Sequence, residues 1–487
     1  MPDFENRAPT HERQSLERAF DPDVFNGQAR EMIKLLASYL GSLSPGNSVP
    51  VLPETNPNKL LAFWQQDFRT DNRSVEDRTR DIITQSLHLH HPRNLGHQVA
   101  PVLPLAAVTE LLSGLLNNGM AVYETGPVSS VMEKIVADWA CKKLGYPDTA
   151  NGFLTSGGTL GNLTALLAAR QKMAGYDAWK EGNFNRQPLA VLVSAEAHYC
   201  VERAAKIMGL GEQGVVKIAS GEGFAMDMNA LETDYEDITQ KGFKVIAVVG
   251  SACTTSTGSY DPIEKIADFC KQKECWFHVD GAHGGAVMLS DKYRHWVKGM
   301  EKADSVVIDY HKMLLTSALT TAVLFKNGDD SYQSFAQKAQ YLSEENDPRW
   351  YDLYIRSIEC TKKMMSTKVY LLLTTYGEEF FIRYIDKMYD MARSFAAFIH
   401  SQPDFDLLMD PQSNIVCFRY HPDTANANLS RLNEKLRRKV VESGRYYIVQ
   451  TRVKGETWLR TTLMNPLTRQ QDLEGVLGEI RSQALER

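Results

Sequence analysis

The chain has 487 residues, 43% of them hydrophobic, with 54 lysines and arginines against 60 aspartates and glutamates and a formal net charge of -6 at pH 7. That length supports two or three domains with large cores. The slightly acidic balance offers no general attraction to nucleic acid or to an anionic membrane, so neither is expected as a partner.

The N-terminus, Met1-Pro2-Asp3-Phe4-Glu5-Asn6-Arg7, lacks the basic and apolar regions of a signal peptide, and nowhere do about 18 uninterrupted apolar residues occur. A soluble, cytoplasmic chain is expected. Seven cysteines, at 141, 200, 253, 270, 275, 360 and 417, form no C-x-x-C pair and read as reduced thiols, mostly in the core.

The first twenty residues are polar. Asp21-Pro22-Asp23 then opens a segment whose Phe25, Ala29, Met32, Ile33, Leu36, Tyr39 and Leu40 recur at helical spacing, an amphipathic helix. A connection at 44–58 leads to a second helical stretch. This N-terminal part has too few apolar residues to fold well alone and is expected to dock on another surface, such as a partner subunit. From about 105 to 325, helices alternate with short β-branched runs at 190–194, 245–249, 276–279, 305–308 and 320–325, which predicts a mostly parallel sheet covered by helices. Residues 329–356 break the rhythm: they are polar and rich in Asp, Glu, Gln and Tyr, and read as a mobile loop beside a site. After them 368–399 is strongly helical. The remainder alternates short strands (414–420, 446–452, 457–463) with helices, a smaller α+β domain. The expected division is 1–104 as an N-terminal helical segment, 105–369 as a large domain and 370–487 as a small one.

Two of the predicted strands end in groups that no core would hold. One continues as His278-Val279-Asp280-Gly281-Ala282-His283-Gly284-Gly285, the other as Ile308-Asp309-Tyr310-His311-Lys312. Ligands of open α/β sheets sit at the carboxyl ends of strands, so Asp280 and Lys312 can face one crevice. Pyridoxal 5'-phosphate needs this pair: a lysine amine for its aldehyde, and a carboxylate that keeps its ring nitrogen protonated. Thr155-Ser156-Gly157-Gly158-Thr159-Leu160-Gly161-Asn162 runs into an Ala- and Leu-rich helical stretch whose free N–H groups suit a phosphate, although an ordinary glycine-rich turn explains it as well. It is neither a dinucleotide fingerprint nor a P-loop. His198 follows another strand, where a lone histidine is more often a cap or a core residue. The hydroxyls of Thr254, Thr255, Ser256 and Thr257 follow the strand at 245–249, as they would in a solvated turn. A metal site built from His278, Asp280 and His283 is the weaker reading, because a strand points such side chains to opposite faces in part.

Taken together, these segments resemble the group II pyridoxal-phosphate-dependent amino acid decarboxylases, the family of glutamate, aromatic amino acid, cysteine sulfinate and 2,4-diaminobutyrate decarboxylases. The likeness runs from His91-Pro92 to Asn465-Pro466 with its motifs in the family's order. It implies the type I fold of pyridoxal enzymes (aspartate aminotransferase-like): a large domain with a seven-stranded mostly parallel sheet, a small C-terminal α+β domain and an N-terminal helical segment. It also implies a homodimer with active sites at the interface. Lys312 would bind the cofactor's aldehyde, Asp280 would pair with its ring nitrogen, and His198 would stack on the ring. Gly158, Thr159 and His311 would contact the phosphate, while Thr255 and Ala282 line the ring pocket. Tyr341 resembles the loop tyrosine that protonates the substrate carbon, Arg460 the C-terminal arginine that binds a substrate carboxylate, and His91 is a further substrate-binding candidate.

Four positions depart from the commoner pattern. Asp309-Tyr310 stands where many members have Asn-Pro, His283 replaces an aromatic residue and Cys253 a glycine. Asp309 places a negative charge near the phosphate, so the amide hydrogen bond of Asn is not carried over. This Asp309-Tyr310-His311-Lys312 form, with His97, looks more like the diaminobutyrate branch. The chain is thus expected to be a carboxy-lyase releasing CO2 and a primary amine from an L-amino acid, 2,4-diaminobutyrate first, acidic or aromatic L-amino acids as alternatives. Transaminase, aldolase or oxidative deaminase chemistry, and a catalytically silent scaffold, are remoter.

Overall fold

A computed structural model of the chain describes residues 16–43, 49–54, 56–70, 73–335, 350–422 and 428–485. These form two compact units: residues 96–433 with 449–466, and residues up to 95 with 434–448 and those from 467 on.

The larger unit is built on seven strands, β1 (Asn151–Thr155), β2 (Leu189–Ser194), β3 (Val215–Ile218), β4 (Lys244–Ser251), β5 (Trp276–Asp280), β6 (Ser305–Asp309) and β7 (Thr321–Phe325), in the order β1-β7-β6-β5-β4-β2-β3. β2 to β6 run parallel, and β7 is antiparallel to both β6 and β1. This is the mostly parallel α/β sheet that the type I fold implies. Five strands fall on the five predicted runs. The two that periodicity alone missed, β1 and β3, are the edges: β1 opens on Asn-Gly, and β3 has four residues of which one is buried. An edge strand has one paired side and one less covered, so its apolar signal is diluted.

Inner strands are buried on both faces, which is why they read as continuous apolar runs. Along β5, Phe277 and Val279 enter one core cluster and Trp276 the other; along β6, Val306 and Ile308 enter the first and Val307 the second. The helix Gly158–Met173 lies over the second face and is buried from Gly161 to Ala169. It can approach because Gly161 has no side chain: a Cβ there would sit 3.2 Å from Val307 Cγ2. The two-residue period of a strand puts His278 and Asp280 on Trp276's face, and Asp309 on Val307's face, so all three point to that helix.

The same unit carries a second sheet, antiparallel throughout, of β8 (Phe405–Leu407), β9 (Ile415–Tyr420), β10 (Val449–Val453) and β11 (Glu456–Thr462), in the order β10-β11-β9-β8. β10 and β11 are joined by Lys454-Gly455, both at positive φ, the twist that a two-residue hairpin turn requires. The predicted strand at 446–452 begins at Val449 instead, and the helical run at 368–399 is two helices, Met365–Tyr376 and Glu378–His400, parted by Gly377. Gly377 has φ 74° and ψ 165°, a conformation open essentially to glycine alone.

In the smaller unit, the helices Pro22–Ser42, Pro57–Phe68 and Val75–Gln85 each start at a capping side chain, Asp21, Asn56 and Ser74, with proline in the first turn of the first two. Pro22–Ser42 follows the predicted amphipathic segment but buries only Leu35, leaving Phe25, Met32, Ile33 and Leu36 exposed. The helix Gln470–Leu485 belongs to this unit; Thr468 just before it donates to the Pro92 carbonyl at 2.5 Å, and its Asp472 pairs with Arg93 at 3.2 Å. No helix among the described residues is long and apolar enough to cross a membrane.

Candidate active site

The carboxyl ends of β2, β4, β5 and β6 meet at one edge of the seven-stranded sheet, level with the end of β1, since Thr155 and Asp309 both pair with Thr321. A cavity of about 290 Å³ opens there. Asp280 is the last residue of β5 and Ala282 follows it; Lys312 and His311 lie on the turn of helix Tyr310–Met313 directly after β6. Gly158 and Thr159 begin the helix Gly158–Met173, His198 precedes Tyr199–Ile207, and Thr255 follows β4. All eight line this cavity.

Asp280 is held by a hydrogen-bonded chain that runs into the core. Trp276 Nε1 donates to Ser305 Oγ at 2.8 Å, and Ser305 Oγ lies 2.9 Å from His278 Nδ1. His278 Nε2 lies 2.8 Å from Asn162 Oδ1, and Asn162 Nδ2 donates to Asp280 Oδ2 at 3.1 Å. Since the Asn162 amide donates to a carboxylate, its oxygen accepts; His278 therefore carries its proton on Nε2 and accepts from Ser305 on Nδ1. Burial pushes His278 down to about 4, so the ring is neutral and the chain keeps one direction. The other Asp280 oxygen accepts from the Ala282 N–H at 3.2 Å. Burial pushes the Asp280 carboxyl above its ordinary range, against the pull of Lys312, that N–H and His198. A cation arriving at this carboxylate relieves that penalty. Asn162 and His278 have functions here that the sequence reading did not assign; their signal was the i, i+2 spacing of His278 and Asp280 on one strand.

Lys312 is paired with Asp309, Nζ to Oδ2 at 2.9 Å. Burial alone would lower the amine, but Asp309 outweighs it and the lysine is raised. Asp309 is also buried, yet Lys312, His311 and Thr321 hold its carboxyl below the usual range. The His311 Nε2 stands 3.6 Å from it, while Nδ1 lies 2.9 Å from the Thr320 carbonyl.

His198 is the N-cap of its helix, with Nδ1 accepting from the Cys200 N–H at 3.3 Å, and burial lowers its basicity. The cap and the cavity wall are thus the same residue. Arg460, on β11, reaches the cavity's edge by donating from Nη1 to the Thr255 carbonyl; its Nε is buried and finds no hydrogen-bond partner among the described residues. His283 also lines the cavity, its Nε2 2.7 Å from Asn414 Oδ1, and burial pushes it down to about 3. Among the described residues no group of three or more His, Cys, Asp or Glu side chains is placed to hold a metal ion, so the arrangement does not support the metal reading. Tyr341 lies outside the described residues, and His91 lies in the smaller unit, its Nδ1 accepting from the Arg93 N–H at 3.0 Å.

These residues fit pyridoxal 5'-phosphate. A buried carboxylate and an amine share one cavity, and beside them the helix Gly158–Met173 begins with no side-chain cap, leaving its first N–H groups for an anion. Gly158 keeps that cradle open: a Cβ there would lie 3.0 Å from Asp309 Oδ1.

The pyridoxal-dependent decarboxylase conserved domain matches residues 57–421. The chain is 29% identical over 419 residues to the L-2,4-diaminobutyrate decarboxylase of Acinetobacter baumannii, covering 83% of this chain and 82% of that one. It is 30% identical over 402 residues to an L-aspartate decarboxylase of Metarhizium robertsii, covering 80% of each. A crystal structure of mouse CSAD matches with a TM-score of 0.90 at 25% identity, over 96% of this chain and 100% of that one.

Proposed function

The chain belongs to the pyridoxal-dependent decarboxylases, carboxy-lyases that use pyridoxal 5'-phosphate, and from that premise we propose that it removes the α-carboxylate of L-2,4-diaminobutyrate or a similar diamino acid. What supports the substrate is the Asp309-Tyr310-His311-Lys312 sequence together with the likeness to the A. baumannii enzyme. Acidic substrates are the second reading, favoured by the L-aspartate decarboxylase relative. Release of CO2 from a panel of diaminobutyrate, aspartate, glutamate, cysteine sulfinate, tyrosine, DOPA and tryptophan tests this, and a clear preference for an aromatic amino acid overturns it.

When bound, the cofactor supplies a sink for the electron pair left as the carboxylate departs. Lys312 provides the amine that holds its aldehyde. Asp280 holds the proton on its ring nitrogen; an opposite unit charge at ~4 Å is worth roughly 4 kcal/mol at an effective dielectric of about 20. The uncapped N–H groups at Gly158 and Thr159, with His311, take the phosphate, while His198, Thr255 and Ala282 bound the ring. Arg460, which reaches the cavity's edge at Thr255, is the candidate for binding a substrate carboxylate, a role that suits a guanidinium fork. His91 contributes to substrate binding, and Tyr341 returns a proton to the α-carbon.

The assembly we propose is a cytoplasmic homodimer with residues 1–104 packed on the partner subunit, in keeping with the exposed apolar face of Pro22–Ser42. The observation that carries the reading is that Asp280 and Lys312 share one cavity. Borohydride reduction of the holoprotein followed by peptide mapping is expected to label Lys312, and Lys312→Ala to abolish turnover; a label on another lysine would remove the scheme.

A further inference from the structure

Asp309 is an acid in an anion's seat. It ends β6 on the face covered by the helix Gly158–Met173, is 3% exposed and lines the cavity. A Cβ on Gly158 would meet its two carboxylate oxygens at 3.0 and 3.2 Å, so nothing but a glycine α-carbon separates that carboxylate from the uncapped start of the helix. Oδ1 accepts from the Thr321 hydroxyl, and Oδ2 faces Lys312 Nζ at 2.9 Å and His311 Nε2 at 3.6 Å. Asp280, His198, His283 and Cys200 also feel its charge across the cavity. Lys312 is the cation that balances it, and the same amine is required by the cofactor's aldehyde. Once the amine is committed there, a buried carboxylate is left beside a phosphate that carries nearly two negative charges above its second pKa of about 6. Two like charges in a dry site cannot both stay ionised cheaply.

We propose that Asp309 makes cofactor capture a proton-coupled event: as the phosphate seats on the turn at 157–159, one proton enters from solvent and is shared between the Asp309 carboxyl and a phosphate oxygen. This rests on the placement of the phosphate given under the proposed function. The proton supplies the hydrogen bond that an amide would otherwise donate, and that O–H is the one covalent bond formed in this step, separate from the joining of the Lys312 amine to the aldehyde, which releases water. Asp309 is a positioning residue for the cofactor, acting through a hydrogen that it must first acquire.

The test compares the holoenzyme with its Asp309→Asn variant by 31P NMR of the bound cofactor and by the carbonyl region of the infrared spectrum. The wild type is expected to show either a monoanion-like phosphorus shift that stays constant well above pH 6, or a protonated-carboxyl band that appears when cofactor is added. The variant is expected to lose that band or to move to a dianion-like shift, because its amide donates without a proton. A dianionic phosphate with no protonated-carboxyl band in the wild type overturns the inference, and does so without the variant should the variant fail to fold. A phosphorus signal that titrates like free cofactor instead overturns the placement of the phosphate, and the inference with it.

Discussion

At the scale of single residues, the site depends on groups that keep Asp280 in place. Replacing His278 by Phe leaves Asn162 Oδ1 without the imidazole donor and the Ser305 hydroxyl proton without the imidazole acceptor in a fully buried position, while Ser305 Oγ keeps its bond from Trp276. The expected loss is about 1–3 kcal/mol of stability, read by urea unfolding, together with weaker cofactor binding as Asp280 is freed to turn. Cofactor affinity equal to wild type would show that the chain from Trp276 to Asp280 does not orient the acid. That Asp280 and Lys312 face one cavity was legible from the sequence, because each ends or follows an apolar run with a charge at the carboxyl end of a strand. Tautomers were not: they follow from which amide face Asn162 presents, and that is settled by atoms on two strands and a helix.

At the scale of elements, glycine fixes two junctions. At the start of Gly158–Met173, Gly158→Ala brings a methyl group to within 3.0–3.2 Å of the Asp309 carboxyl. Cofactor affinity is expected to fall by about 5–30-fold, roughly 1–2 kcal/mol, with an unchanged circular dichroism spectrum. Between Met365–Tyr376 and Glu378–His400, Gly377→Ala forces a β-carbon into a glycine conformation and is expected to cost about 1–3 kcal/mol, measured as a lower urea midpoint at unchanged slope. The sequence showed both helices as one run because apolar spacing continues across the break; only the backbone turn separates them. The hairpin of β10 and β11 is similar, since Lys454-Gly455 is a turn signal whose partner strands begin three residues (β10) and one residue (β11) from where the apolar pattern placed them.

At the scale of the whole molecule, two properties are expected. His278 and His283 are buried and neutral, pushed down to about 4 and about 3, below the ordinary histidine value of about 6.5. The unfolded chain therefore binds protons that the native state refuses, and stability is full above pH ~6.5 and falls as pH drops toward about 4. Each histidine adds a slope of about 1.4 kcal/mol per pH unit in that window, as an order of magnitude. Urea unfolding followed from pH 7 to 5 checks it, and a flat profile there would contradict the buried neutral state. The second property concerns assembly. The helix Pro104–Leu116 exposes Val108, Leu111, Leu112 and Leu115, an apolar stripe of the kind that marks an interface. Leu112→Glu with Leu115→Glu is expected to shift the proposed dimer to monomer by light scattering; a dimer that persists unchanged would place the interface elsewhere.

The sequence by itself pointed to pyridoxal 5'-phosphate, since the pattern of an apolar strand closing on an acid or followed by a lysine is local and survives any arrangement of the rest. It also determined the sheet class, because strands buried on both faces must be continuous apolar runs. Tertiary structure alone decided which groups meet: the reach of Arg460 from a second sheet to Thr255, and the bonding of His283 to Asn414. Those contacts join surfaces far apart in the chain. Their partners are chosen by packing and burial, which no local periodicity records.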